Sequence, residues 1–281
     1  MAQFIAGIVL TLLVILGFNY FTLEAKLDRP WIEEQSKTAI AEISEDEIII
    51  RNARDWTYDA TGPLTKEWVD LAINPKDVKQ VWFVIEPFGD WKAVGHTFLT
   101  FEFNDGGTIS FSIEARREEG EKYEALAGAF RAYDLSYQWG TERDFITRRL
   151  VYLNHPVRMY PLDLPQGAEE SLLHSLAEET NVLAANPRFY NTLTANCTNL
   201  LAQIVNKHYP GTLPRHYSWI LTGYSDTYLM REGFIQLEDA SEARTQMRYD
   251  LTQYRESIGY AGTLDPYAFS KVLRLTLDAK E

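Results

Sequence analysis

Cys197 is the only cysteine of the 281-residue chain and lies in the stretch YNTLTANCTNLL. Leu200, Leu201 and Ile204 follow it at helical same-face spacing. This spacing predicts a helix that begins at Cys197 and ends near His208. The thiol then lies at the N-terminal tip of the helix, where free backbone N–H groups lower a thiol pKa and can hold an oxyanion.

Two asparagines close to this thiol are candidates to support it. Asn196 or Thr194 would cap the helix by accepting its first free N–H groups, and Asn199 lies in the first turn. Taken by itself, a lone cysteine is more often a small buried hydrophobe than a nucleophile. A catalytic role for Cys197 therefore requires a nearby base.

His96 is the histidine whose position suits a general base. It opens the first strand of a hairpin, GHTFLTFEF and TISFSIEAR, whose turn is NDGG. Simple pairing places His96 opposite Ala115, and a shift of one residue places it opposite Glu114. Because a carboxylate behind an imidazole fixes its tautomer and raises its basicity, the shifted register predicts that Glu114 orients His96. In the alternative, Glu114 pairs with Arg116 or Arg117 on a solvated strand.

The remaining histidines have ordinary interpretations as surface or core residues: His155, His174, His208 and His216. His208 lies about three helical turns from Cys197, which is too far for a base. The sequence has no paired Cys/His spacing and no HExxH motif, so it predicts no metal and no cofactor.

The order of the candidate residues along the chain is His96, Glu114, Cys197. Together they form the parts needed for thiol acyl transfer. Papain-like enzymes place the cysteine helix before the histidine strand. Their circularly permuted relatives, including the retinol acyltransferase group, place the histidine first, and this order fits the present sequence.

The elements around these residues indicate an α+β fold in which a small antiparallel sheet packs on the cysteine helix. Further strands are predicted for residues 47–56, 78–88 and 157–164, which are rich in β-branched and aromatic side chains. Helical spacing predicts helices over residues 166–185, 218–230 and 268–277. Residues 118–148 are interpreted as a lobe of short helices and loops.

Composition excludes some classes of partner. The formal net charge is −13, which disfavours nucleic acid because phosphate binding needs clustered Lys and Arg. The same negative charge does not favour adhesion to an anionic lipid surface. A single cysteine forms no internal disulfide, so cysteine usage does not identify the compartment.

The N-terminus predicts a membrane anchor. Residues 4–23 carry no charge and have about the length of a bilayer-spanning helix. We expect residues 1–25 to be a transmembrane anchor, residues 26–46 a juxtamembrane connector and residues 47–281 the folded domain. The alternative is a signal peptide cleaved after Ala25, although no Lys or Arg precedes the run. Lys26 and Arg29 follow the run, and the positive-inside rule would place that side in the cytoplasm.

Several ordered motifs resemble the Lnb N-terminal periplasmic domain family over roughly residues 47–235. The motifs are RNARDW, GHTFLTFEF, ISFSIEARREEGEKY, FRAYDLSYQWGTERDFITRR, RFYNTLTANCTNL and SWILTGY. The resemblance implies a permuted NlpC/P60, papain-like domain on the periplasmic side of the bacterial inner membrane, held there by a single span. It also implies Cys197 as nucleophile and His96 as base, whereas the orienting role of Glu114 is our inference.

Four charged residues within these motifs are candidates to support the site: Arg116, Arg143, Asp144 and Arg148. We interpret them as a buried ion network, with binding of a substrate headgroup as the lesser alternative.

Three functions are compatible with these residues. The first is a membrane-bound acyltransferase that moves an acyl chain from a phospholipid to a lipoprotein N-terminus. The second is an envelope thiol amidase or peptidase that acts on peptidoglycan or peptides, with water as acceptor. The third is a non-catalytic envelope binding module with an inert, buried Cys197. An apolar groove at the thiol would favour the first function, and a polar open cleft the second.

Overall fold

The computed structural model describes residues 22–88 and 91–278, together with residues 11, 17, 18 and 20. Its centre is an eight-stranded sheet in the order β1-β2-β7-β6-β5-β4-β8, with β3 paired to β2. The strands are β1 Ile40–Ile43, β2 Ile48–Asp59, β3 Gly62–Ile73, β4 Val78–Pro87, β5 Gly95–Phe103, β6 Thr108–Arg116, β7 Asp134–Gly140 and β8 Arg158–Pro161. All pairs are antiparallel except β2 with β7.

Helices cover both faces of this sheet. Successive side chains of each strand point to opposite sides, so the strands contribute to a core on each face. The helices are α1 Ala125–Gly128, α2 Glu142–Thr147, α3 Ala168–Ala185, α4 Cys197–His208, α5 Ser225–Arg231, α6 Glu242–Arg248, α7 Arg255–Ala261 and α8 Pro266–Asp278. Leu99 of β5 points toward the core formed with α3 and α4. Phe98 points toward the second core, formed with α2, α7 and α8.

The α+β class and several predicted elements are confirmed. The helices at 166–185 and 268–277 correspond to α3 and α8, the cysteine helix is α4, and the NDGG hairpin is β5 with β6. Residues 218–230 form two 3₁₀ turns followed by α5 instead of one helix. Isolated turns form there because Thr222 Oγ1 bonds the backbone of Gly95, which ties this segment to β5.

Two sheet predictions were wrong. The sheet is large and mixed, and residues 118–148 contain the strand β7 in place of a purely loop-and-helix lobe. All seven residues of β7 are buried, since the strand lies between β2 and β6 under helices on both faces. A strand buried on both faces lacks the alternation that marks a half-exposed one. The strand β3 was also missed, because most of its residues are exposed and its sequence lacks a regular alternation of apolar and polar side chains.

The segment before β2 contributes to the core. Residues 26–46, expected as a connector, contain β1 and the buried residues Trp31, Gln35, Ala39 and Ala41. The predicted anchor, residues 1–25, lies largely outside the described residues. Within the described part of the chain, no helix is both long and apolar enough to cross a bilayer.

Candidate active site

The thiol of Cys197 begins α4 and is buried, with 3% of the residue exposed. Asn196 is the N-cap: its Oδ1 accepts from the N–H groups of Thr198 at 2.9 Å and Asn199 at 2.8 Å. Asn199 Oδ1 in turn accepts from Asn196 N at 2.9 Å, which completes a capping box. The two asparagines therefore fix the helix tip that carries the thiol.

This cap changes the expected oxyanion donor. The N–H groups of Thr198 and Asn199 are taken by the Asn196 side chain. The N–H of Leu200 bonds the Asn196 carbonyl. Among the described residues, the Cys197 N–H has no acceptor, so it is the helix-tip donor left for a substrate oxygen.

His96 faces Glu114, as the shifted hairpin register predicts. The paired register ends at Phe98 with Ser112, and two further residues along each strand place His96 opposite Glu114. The shift arises because Glu102 pairs with Thr108 and Phe103 N donates to Gly107 O at 2.9 Å, which leaves an odd number of residues, the three at 104–106, in the turn. His96 Nε2 lies 3.1 Å from Glu114 Oε1 and 2.7 Å from Ser112 Oγ. Ser112 Oγ also donates to Glu114 Oε1 at 2.7 Å, a contact that sequence reasoning missed.

The imidazole of His96 and the thiol of Cys197 line the same cavity, and each shifts the pKa of the other. Nε2 faces Ser112 and Glu114, so Nδ1 is the ring nitrogen that we assign to the thiol. Thr97 Oγ1 lies 3.1 Å from Thr198 Oγ1, which joins β5 to the first turn of α4. The Cys197 thiol, the His96 imidazole and the Glu114 carboxylate thus meet where the start of β5 contacts the tip of α4.

Electrostatics favour an ion pair between sulfur and imidazole. Burial opposes a charge on His96, but Glu114 and the hydrogen bond to Cys197 outweigh it and raise the pKa of His96 to about 10. Burial likewise opposes a thiolate, but the hydrogen bond and charge of His96, together with Thr97, lower the pKa of Cys197 below its ordinary value. The pair is therefore biased toward thiolate and imidazolium.

A second group of charges lies behind Glu114 and was not predicted. Arg149, which is 1% exposed, donates Nη2 to Glu114 Oε1 at 2.9 Å, and its Nε lies 2.9 Å from Glu86 Oε2. Glu86 also bonds His155 Nδ1 at the cavity edge. A signal was present in the sequence: Glu86 is a charged residue inside the apolar run VWFVIEP. Arg149 fixes Glu114 so that its carboxylate stays aimed at His96.

The Glu114→Gln variant is expected to move the alkaline limit of reactivity downward. Loss of the carboxylate charge should lower the pKa of His96 by about 1–3 units from its raised value. The imidazolium would then be lost at a lower pH, and any step that needs its proton would decline earlier. The measurement is the pH profile of turnover. The matched control is Glu102→Gln, a buried carboxylate at the other end of β5; an unchanged Glu114→Gln profile would refute the orienting role.

A cavity of about 530 Å³ opens onto the thiol. One part of its wall is apolar and aromatic, with Trp91, Tyr123, Tyr190, Ile220 and Leu221. Another part is charged, with Glu34, Arg54, Arg117, Arg148 and Arg149. The cavity is neither the purely apolar groove nor the purely polar cleft considered from the sequence. Its size falls within the ~300–1,000 Å³ typical of small-molecule sites.

The supporting charges predicted from the motifs separate into two groups. Arg116, Arg143 and Asp144 are buried and do not line this cavity. Arg116 binds backbone carbonyls of Gln35 and Ser36, and so holds the segment before β1. Arg143 pairs with Asp55, and Asp144 with Arg54, both at 2.7 Å. By contrast, Arg148 lines the cavity and binds Glu34. No cluster of three or more metal-ligand side chains occurs in the described ranges.

The fold and the site together define an α+β protein in which a helix-tip cysteine, a histidine and a carboxylate meet at one cavity. The model of the Lnb N-terminal periplasmic domain family matches residues 64–223, more than half of the chain. The chain belongs to this family, which confirms the resemblance inferred from the motifs and indicates an envelope-related protein. No curated protein and no solved structure matches the chain.

Proposed function

We propose that the protein is a thiol acyltransferase of the bacterial envelope with a permuted papain-like domain. The observation that carries this proposal is the meeting of Cys197 and His96 in one cavity at a capped helix tip, with Glu114 behind the imidazole. A nucleophile, its base and an orienting carboxylate are the groups that covalent acyl transfer requires.

The first step acylates the enzyme. The thiolate of Cys197 attacks an ester carbonyl carbon, and the carbonyl oxygen takes the negative charge beside the Cys197 N–H. The tetrahedral intermediate collapses, the C–O bond to the leaving alcohol breaks, and His96 gives its proton to that oxygen. The product is a thioester between the acyl chain and Cys197.

The second step returns the thiolate. A neutral amine attacks the thioester carbonyl, and His96, now unprotonated, accepts the proton that the nitrogen releases. The C–S bond breaks as the amide C–N bond remains. Thiolate and imidazolium are restored, so one acyl chain moves from oxygen to nitrogen without another reactant.

The acyl donor in this proposal is a membrane phospholipid, and the acceptor is the N-terminal amine of a lipoprotein. The apolar wall of the cavity suits the start of an acyl chain, and the charged wall suits a polar headgroup. Residues 4–23, with no charged side chain, would anchor the chain as a single span of the inner membrane and keep the domain in the periplasm.

The charged wall motivates a prediction about the donor headgroup. Glu34 pairs with two guanidinium groups, Arg148 at 2.5 Å and Arg117 at 3.4 Å, so one positive charge beside Glu34 has no carboxylate of its own. The Arg117→Gln variant should raise KM for phosphatidylethanolamine about tenfold, since a charge-assisted hydrogen bond contributes ~1.5–3 kcal/mol. The KM for diacylglycerol, which has no phosphate, should stay unchanged.

The control for this prediction is Arg51→Gln. Arg51 lies on β2, away from the cavity, and pairs with Glu42 and Asp70. It should leave both KM values unchanged. Equal KM increases for the two donors in Arg117→Gln would show that Arg117 does not contact the phosphate.

The hydrolase alternative keeps support from the charged part of the cavity wall. Reconstitution of the purified chain in phospholipid vesicles with a synthetic diacyl lipopeptide separates the two functions. The transferase gives an N-acylated lipopeptide by mass spectrometry, whereas a lipid hydrolase gives free fatty acid alone. Release of neither product would overturn the acyl-transfer proposal.

A further inference from the structure

Large apolar side chains are exposed around the mouth of the cavity. Trp91 is 74% exposed and Leu193 52%, and both line the cavity together with the exposed residues Ile220 and Leu221. Single exposed hydrophobic residues are normal on soluble proteins. A contiguous apolar patch at the entrance of a site marks an interaction surface instead.

Hydrogen bonds hold one side of this mouth together. Gly223 N donates to Ala93 O at 3.0 Å, and Gly95 N donates to Thr222 Oγ1 at 3.1 Å. These bonds tie the loop that carries Trp91 to the segment that carries Ile220 and Leu221. The two segments that carry these exposed side chains are therefore neighbours at the mouth of the cavity.

The other side of the mouth has the same character. Thr192 Oγ1 donates to Ala125 O at 2.6 Å, and Thr192 N donates to Gly128 O at 3.3 Å. These bonds fix α1 against the loop that carries Leu193. Two further exposed side chains belong to this region: Leu126 at 75% and Phe130 at 64%.

The apolar N-terminal run ends beside this second side. Arg131 Nη1 donates to Tyr20 O at 2.9 Å, and the Arg131 guanidinium lies 4.5 Å from the centre of the Tyr20 ring. Arg131 directly follows the exposed Phe130. Residues 4–23, which lead to this point, contain no charged residue. The run is long enough for a bilayer, and so it identifies the surface that would cover this patch.

We propose that the apolar mouth docks into a lipid bilayer. We define the apolar mouth as Trp91, Leu126, Phe130, Leu193, Ile220 and Leu221. Aromatic and aliphatic side chains of this kind enter the boundary between headgroups and acyl chains, where Trp is especially favoured. The role of this docking, although not the docking itself, rests on the proposed function. Docking sets the cavity against the bilayer, so that a lipid reaches Cys197 without exposing its acyl chain to water.

Depth measurements on the full chain test this proposal without any turnover. In a Cys197→Ala background, a single cysteine is introduced as Trp91→Cys, Leu126→Cys or Leu193→Cys and labelled with a nitrobenzoxadiazole fluorophore. The labelled chain is reconstituted in phosphatidylethanolamine–phosphatidylglycerol vesicles. We expect the emission of the fluorophore to shift to the blue. We also expect spin labels on the lipid acyl chains to quench its fluorescence, and aqueous iodide not to quench it.

The matched control is Leu275→Cys in the same background. Leu275 is 59% exposed on α8, next to Arg274, which binds Glu102 at the opposite end of β5 from His96. Its label should remain quenched by iodide and unaffected by lipid spin labels. Iodide quenching at the apolar mouth equal to that at Leu275 would overturn the proposal. Protection from both quenchers would also overturn it, because a protein partner or a second copy would then cover the mouth.

These outcomes are independent of the catalytic proposal. The background variant lacks the thiol, so docking is measured whether or not Cys197 is a nucleophile. If Cys197 proves dispensable for activity while the labels enter the bilayer, docking stands and the mechanism fails. If the labels stay in water while Cys197 is essential for activity, the mechanism stands and the docking proposal fails.

Discussion

The Cys197→Ala variant is expected to keep its fold and lose all measurable acyl transfer. Without the sulfur no thioester forms, and no other cysteine in the chain can replace it. Alanine has the highest helix propensity, so α4 should persist with only a small loss of stability, about 1 kcal/mol. Transfer from phosphatidylethanolamine to a lipopeptide measures activity, and thermal unfolding by circular dichroism measures the fold.

The matched control for this variant is Ser175→Ala. It removes one buried side-chain heteroatom from α3, where Ser175 Oγ donates to the Ser171 carbonyl, and it does not touch the cavity. It should retain activity. Cys197→Ser should also be inactive, because a hydroxyl beside His96 is far harder to ionise than a thiol. Full activity in Cys197→Ala would mean that the mechanism is wrong.

The His96→Gln variant is expected to lower turnover by ~10²–10⁴-fold, the usual contribution of a positioned acid–base group. It should also change the thiol itself. The hydrogen bond and charge of His96 lower the pKa of Cys197 against the effect of burial. When His96 is removed, burial and the Thr97 hydrogen bonds remain, and the pKa of Cys197 should rise from its lowered value.

The rate of Cys197 alkylation by iodoacetamide as a function of pH separates this role from a structural one. In the wild type the thiolate should react at a pH below the ordinary range of a thiol, and in His96→Gln the profile should move to higher pH. His174→Gln, on α3 and outside the cavity, is the control and should leave the profile unchanged. An identical profile in the wild type and His96→Gln would contradict the pairing of His96 with Cys197.

The parts of the site that follow from local chemistry could be predicted from the sequence. The Asn196 cap and the same-face leucines predicted the position of Cys197 at the tip of α4. NDGG predicted the hairpin, but both Ala115 and Glu114 remained open as partners of His96. The choice depended on whether an even or an odd number of residues forms the turn. Three residues, 104–106, form it, and the turn residues alone do not fix that number.

The missed parts depend on contacts between distant segments. β7 is buried on both faces, so its sequence carries no alternation that would mark it as a strand. Arg149 lies in the helical turn Arg148–Tyr152 that follows α2, and Glu86 lies on β4. The two residues meet only because α2 and this turn pack against the sheet, at β2 and β6. The sequence identified Arg116, Arg143 and Asp144 as charged motif residues, but their partners belong to segments that only the folded sheet brings near.

The central claim is that Cys197 carries the acyl chain, and the mass of the intact protein tests it most directly. The wild-type chain is incubated with phospholipid vesicles in the absence of an amine acceptor and then analysed by mass spectrometry. We predict a mass increase of one acyl chain, located on the peptide that contains Cys197, removed by hydroxylamine and absent in Cys197→Ala. An active wild-type protein that never carries an acyl chain on Cys197 would contradict the account.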